Sequence, residues 1–257
     1  MAFNINSSAG ALNTIQNLFH DQNSIDKNLT ALSSAKALNK AADDAASLAI
    51  SNKLMTEASG FSQSMMNANE SIGMIQIADG AMQEQSDIAN RINQLTLQAS
   101  NDTLNDSDRT KIQKEVDRLL ESSDNIASST SYNGMSLLDG SNATQYTKDS
   151  TSSSLFGEID VTTAENAQKS LDTVQNALST LDDMRSDLGS SQNKLYAEVN
   201  NLSNSVINSQ SASSQLGDLD FAKESADFSK NDILLKTGSF ALSQQNLQQA
   251  SVLNLLQ

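Results

Sequence analysis

His20 is the only histidine in the 257 residues, and there is no cysteine. One imidazole without thiols cannot build a His-based metal cluster, a thiolate zinc site or a Ser-His-Asp triad. What remains for chemistry is carboxylate. Asp43-Asp44 and Asp182-Asp183 are adjacent pairs, but adjacent helical residues diverge by about 100°, so neither pair converges as an acid/base couple. Asp43 or Asp44 is instead placed to cap a helix, and Asp218 and Asp220 to cap the last one. Met55, Met65, Met66, Met74 and Met82 are expected in a core rather than on a metal or cofactor. Asn28-Leu29-Thr30, Asn101-Asp102-Thr103 and Asn142-Ala143-Thr144 match the N-glycosylation pattern, which so Asn- and Ser-rich a chain produces by chance. The residues present define no catalytic, cofactor or metal site, so no enzyme is expected.

The charge balance narrows the partners. Lys and Arg number 16 against 31 Asp and Glu, a formal net charge of −15. Nucleic-acid phosphates and anionic membrane surfaces would be repelled. No apolar run approaches the ~20 residues that cross a bilayer. The first basic residue is Lys27 and no apolar stretch precedes it, so no cleavable secretory signal is expected. Proline and tryptophan are absent and aromatics make up 4%. Few bulky side chains give a thin core, which suits helices lying side by side, and without proline those helices run unbroken.

The strongest periodicity lies between Val161 and about Ile207. Leu171, Leu178, Val199 and Val206 share a seven-residue row, and Val174, Leu181, Leu188, Leu195 and Leu202 share the row three residues on. This a/d seam predicts a helix over 163–213 packed along other helices, with the polar a positions Arg185 and Gln192 fixing register. A second long helix is predicted over 45–100, where Leu54, Phe61, Ala68, Ile75 and Met82 recur every seven residues and Ile88, Ile92, Leu95 and Ala99 continue in a shifted register. A third covers 108–128. Between them, residues 131–160 change character. Asn133-Gly134 and Asp139-Gly140 are hairpin dipeptides, the Ser/Thr run 147–154 reads as an exposed loop, and Thr162 with Glu165 forms a capping box. The fold class is mainly α, a long helical coiled-coil bundle with short β-hairpins at its tip.

The two ends are amphipathic but thin. Residues 1–10 read as an extended leader. Ile15, Gln22 and Leu29 then form an a row and Leu18, Ile25 and Leu32 a d row. Burying the few large side chains of residues 1–32 yields less than ordering the chain costs, so this end is expected to fold only against partners. The last segment, with Phe240, Leu247, Val252, Leu253 and Leu256, is the most apolar stretch, and that makes sense if an assembly buries it.

Read together, these blocks resemble bacterial flagellin. Ala31-Leu32-Ser33-Ser34, Leu38-Asn39, Asp43-Asp44-Ala45-Ala46 and Leu48-Ala49-Ile50 are similar to its N-terminal signature. Asn67-Ala68-Asn69 with Ser71-Ile72, Tyr132-Asn133-Gly134, Arg185-Ser186-Asp187-Leu188-Gly189 with Gln192-Asn193, the stretch 218–224, and Val252-Leu253-Asn254-Leu255-Leu256 follow in the family's order. The family's glycine after the two serines is Ala35 here.

The resemblance implies a subunit that polymerises into the flagellar filament used for swimming, exported unfolded through the flagellar type III apparatus. It implies an inner, channel-lining domain from 1–42 and 218–257 and an outer-tube domain from 43–217, with about thirty residues where larger flagellins insert outer domains: a minimal flagellin. Leu18, Ile25, Leu29, Leu32, Phe240, Leu247, Val252, Leu253 and Leu256 would then be subunit-interface residues. Implied partners are further copies of itself or another flagellin, an export chaperone, the filament cap and hook-associated proteins. Arg91, Leu95 and Gln98 fall where some flagellins carry the motif seen by Toll-like receptor 5, although the adjacent acidic residue is Gln94 here. A hook–filament junction protein and a minor or secreted paralogue acting as immunomodulator or adhesin share these features. A cytoplasmic chemoreceptor rod shares the heptads but not the apolar ends.

Overall fold

The computed structural model describes residues 6–141 and 146–255. Residues 1–5, the Asn142-Ala143-Thr144 sequence and Leu256 lie outside them, as do the side chains of Val252 and Leu253. Six helices are present among the described residues: α1 (Asn6–Ser34), α2 (Ala45–Ala99), α3 (Asp106–Ser129), α4 (Ser152–Leu155), α5 (Ala164–Gly217) and α6 (Phe221–Leu255). Helix accounts for 81% of the described chain. The strands are a two-residue pair, β1 (Ser131–Tyr132) and β2 (Met135–Ser136), so the fold is mainly α.

Side-chain caps set where the helices begin. Asp44 Oδ1 accepts from the amides of Ala46 (3.0 Å) and Ser47 (3.1 Å) ahead of α2, Asn105 Oδ1 from Asp108 N (2.8 Å) ahead of α3, and Asp220 Oδ1 from Ala222 and Lys223 N (both 3.1 Å) ahead of α6. Each satisfies donors that the first turn leaves open. Two expectations shift. The cap of α5 is Thr163, whose Oγ1 accepts from Asn166 N (3.2 Å), because Thr162 instead gives its hydroxyl to Asp160 Oδ1 (2.7 Å); Glu165 pairs with Lys169 (2.9 Å) rather than closing a capping box. Residues 6–10 are helical rather than extended, since adding residues to an existing helix costs far less than nucleating one.

The described chain divides into two compact units, residues 1–60 with 205–257, and residues 61–204. The central unit packs α3 and the 131–161 segment against α2 and α5. Its core runs along the d row of α5: Val174, Leu181, Leu188 and Leu195 are buried, while Leu171, Leu178 and Val199 of the a row are half-buried. Facing them are Ile75, Met82, Ile92 and Leu95 of α2 and Val116 of α3. Arg185, the first polar a position, reaches Asp79 on α2 at 2.9 Å, a cross-helix contact that only one register allows. Of the methionines, Met82 is buried, but Met55 (51%) and Met66 (48%) are exposed, being off the inward stripe.

The 131–161 segment is docked rather than loose. Asn133 (φ 50°) and Gly134 (φ 77°) form the turn between β1 and β2, as their left-handed conformations favour. Asp139-Gly140 makes no second hairpin among the described residues, only an isolated bridge from Asp139 to Asp149. The Ser/Thr run is not an exposed loop throughout: Ser150 is fully buried, and Asp124 of α3 accepts from Ser152 N and Oγ (both 2.7 Å). Gln85, also fully buried, donates to the carbonyls of Ser123 (3.1 Å) and Ser150 (2.9 Å), tying α2 to α3 and to this segment. Arg109 (6% exposed) donates to the carbonyls of Ala99 and Asn101 (both 3.0 Å), so its cation completes the C-terminal end of α2.

In the terminal unit, a short two-chain link joins the turns after α1 and α5. Ala37 N donates to Gly217 O (2.8 Å) and Leu219 N to Ala35 O (3.3 Å), so the backbones of Lys36 and Asp218 form an isolated antiparallel bridge. Ala35 holds φ 54° at the end of α1, a left-handed conformation that suits glycine and costs an alanine about 1 kcal/mol or more. Ala35→Gly is therefore expected to stabilise the terminal unit by about 1 kcal/mol, read as slower amide exchange along α1. Faster exchange would contradict it.

Candidate functional site

Because the sequence supplies no reactive constellation, the functional question passes to surfaces. Among the described residues no group of His, Cys, Asp and Glu is arranged to hold a metal. His20 lies on an open groove of about 970 Å³ beside Lys27, Asn39, Lys40, Asp43 and Glu224.

The terminal helices pair antiparallel. A Cβ on Gly10 would stand 3.3 Å from Gln245 Nε2, and one on Gly238 would stand 2.8 Å from Leu18 Cδ2. Further along, with its amide turned to satisfy both ends, Asn28 donates to Glu224 Oε1 (3.0 Å) and accepts from Asn231 Nδ2 (3.2 Å). The ends therefore find a partner inside the chain, where the sequence reading expects them to order only against other molecules. Each segment supplies the other's missing face.

That pairing is incomplete in a specific way. The half-buried stripe of α1 contains Leu18, Ile25 and Leu32 with Thr14, Asp21 and Asn28, so the seam turns toward the polar neighbours of the d row. Of the a row, Ile15 is half-buried whereas Gln22 and Leu29 (56%) are exposed. On α6 the half-buried stripe holds Phe228, Leu235 and Leu242. Ile233 (63%), Phe240 (71%) and Leu247 (59%), seven residues apart, form a second row that α1 does not cover. Two helices touch along one line and can bury only one stripe each. Among the described residues every buried hydrophobic side chain except Ala58 belongs to the central unit, and no residue of α1 or α6 is buried. Twelve of the sixteen exposed large hydrophobics, Leu12 and Phe19 among them, sit in the terminal unit. Exposed apolar residues so concentrated mark a candidate interaction surface.

Of the receptor-motif positions, Arg91 is exposed and paired with Glu115 at 2.7 Å, and Gln98 is exposed. Leu95 is 3% exposed, packed in the central core, so it presents no surface for a receptor to touch directly.

The perturbed carboxylates are structural. The Ser47 hydroxyl, then the Ser47 amide, hold Asp44 below the usual carboxylate range. The Thr162 hydroxyl, then its amide, do the same for Asp160, with Asn166 adding to it; Asp139 is lowered by Ser141. A lowered folded-state value contributes stability that is fully present above the unfolded value of about 4 and is lost as pH falls through the folded value. Thermal unfolding is thus expected to be flat from pH 8 to about pH 5 and to fall below about pH 4. A midpoint that drops between pH 8 and 6 would contradict this assignment.

The family model for the bacterial flagellin N-terminal helical region matches residues 5–143, and that for the bacterial flagellin C-terminal helical region matches residues 171–256. Flagellin FlaB2 of Treponema pallidum (strain Nichols) is 32% identical over 98% of this chain and 99% of its own. The flagellin of Bacillus subtilis (strain 168) is 33% identical over 98% of this chain and 99% of its own. A crystal structure of Bacillus cereus flagellin aligns with 53% of this chain and 88% of its own at 25% identity and a TM-score of 0.49. With both helical regions matched in order and relatives aligned almost end to end, the chain belongs to the bacterial flagellin family.

Proposed function

We infer that this chain is a structural subunit that polymerises into the bacterial flagellar filament and so serves swimming motility. The observation that carries the reading is the uncovered apolar row on α6: the terminal helices meet each other and still leave their shared stripe only half-buried, so copies stacked by a repeated contact gain what one copy lacks. A head-to-tail contact between two different surfaces of the same chain propagates as an open helix where the rotation between copies does not close a ring.

In the finer reading, residues 1–42 and 218–257 line a central channel, and Leu18, Ile25, Leu29, Leu32, Phe240, Leu247, Val252, Leu253 and Leu256 contact neighbouring copies. The subunit reaches the outside of the cell through the flagellar type III apparatus, with an export chaperone, the filament cap and hook-associated proteins as its partners. Terminal helices this short of buried contacts open easily, which suits a chain that must be threaded before it assembles.

Sedimentation and negative-stain microscopy of the purified protein test the reading. Pelletable helical filaments are expected above a critical concentration. A chain that stays monomeric across concentration and salt would overturn it.

A further inference from the structure

We propose that the hollow between α1 and α6 is a socket for Phe240 of a second copy. The inference rests on the filament reading and adds to it which side chain enters which surface. The hollow measures about 260 Å³; Leu18, Leu234 and Ala241 supply apolar wall, and Thr14, Asn17, Asp21 and Thr237 make the rest of its side-chain lining polar. An enclosed apolar cavity of about 150 Å³ takes up a benzene ring, so this open, partly polar hollow is large enough for a phenyl group.

The occupant follows from what the molecule leaves uncovered. Phe240, at 71%, is the most exposed large hydrophobic side chain among the described residues and the middle of the Ile233–Phe240–Leu247 row. It cannot fill the hollow of its own chain. Successive helical residues are turned by about 100°, so Phe240 points some 100° from Ala241 and about 200° from Gly238, away from the hollow. Projection and socket are therefore different surfaces of one molecule, as a head-to-tail contact requires; such a contact runs on as an open helix where the rotation between copies does not close. The socket is also continuous with the α1–α6 seam whose incompleteness calls for further copies.

The test uses the full chain. Wild type, Phe240→Ala, Ala241→Leu and the double variant are compared for critical concentration, with circular dichroism confirming helix content. Removing the ring, or filling the socket, is expected to raise the critical concentration roughly tenfold to a hundredfold, the effect of re-exposing one phenyl side chain. The double variant is expected to be no worse than either single one, because both changes break the same contact. Phe240→Leu should recover most of the loss. Ala241→Leu assembling at the wild-type concentration, or two effects that multiply in the double variant, would overturn the socket while leaving the filament reading intact. Failure of wild type to assemble would remove the filament reading itself. Since the chain has no cysteine, Phe240→Cys and Leu234→Cys chains mixed under oxidation supply an independent readout that does not depend on the Ala or Leu variants folding. A mixed disulfide supports the socket, and its absence in pelleted filaments counts against it.

Discussion

Deleting residues 236–257 is expected to abolish filament formation at every accessible concentration while leaving the central unit folded. The deleted stretch contains Gly238, against which Leu18 packs, and two members of the exposed α6 row, Phe240 and Leu247. Without it the first turns of α1 lose their antiparallel partner and the chain loses both the projecting ring and the socket. The central core loses nothing, because none of its buried side chains comes from this stretch. Sedimentation should show no pellet, and thermal unfolding of the truncated chain should retain the transition of the central unit. A truncate that still polymerises would show that assembly is carried by another surface, and the account of the ends would be wrong.

The complementary change is Phe156→Ala, expected to destabilise the central unit by about 3–5 kcal/mol, the usual cost of emptying a buried aromatic site. Phe156 follows α4, is fully buried, and belongs to a core with Val116 of α3 and Val174 and Leu181 of α5. Truncating it leaves a cavity where three elements converge. The thermal midpoint should fall on the order of 10 °C. Phe19→Ala and Phe240→Ala remove the same side chain where it is 69% and 71% exposed, so each should shift monomer stability by less than about 0.5 kcal/mol. Calorimetry of the three variants below the critical concentration separates these outcomes. If Phe156→Ala melts with wild type, the 131–161 segment is not packed as described. Taken with the truncation, the pair separates side chains buried within the central unit from those that the terminal unit leaves exposed.

Much of this architecture was legible from local pattern. Seven-residue rows marked α2 and α5, because a helix can bury only a narrow stripe and the apolar residues must recur on it. Asp44 and Asp220 announced helix starts, since their carboxylates bond amides two and three residues ahead. Asn133-Gly134 announced its turn for the same reason, that the cause lies within four residues. The resemblance carried the family and, with it, the filament.

Other features needed the folded chain. Periodicity says that a helix has faces but not which face meets which neighbour. The deep row of α5 is therefore the d row, and Leu29 of α1 faces out though it shares a heptad seam with Leu18. Gln85, Arg109 and Gln113 look like surface residues in sequence. The first two are buried, and Gln113 bonds the backbone of Ile159 and Val161 at 3.0 and 2.7 Å. Their partners lie 8 to 65 positions away, and a buried polar side chain is admissible only where such partners meet it. Local pattern did not show that the ends would pair within one chain, since α1 and α6 sit at opposite termini; only the resemblance, which put 1–42 and 218–257 in one domain, implied it. Local pattern specified the helices, because their causes are a few residues apart; only the tertiary structure decided which apolar rows were consumed inside the molecule and which were left exposed.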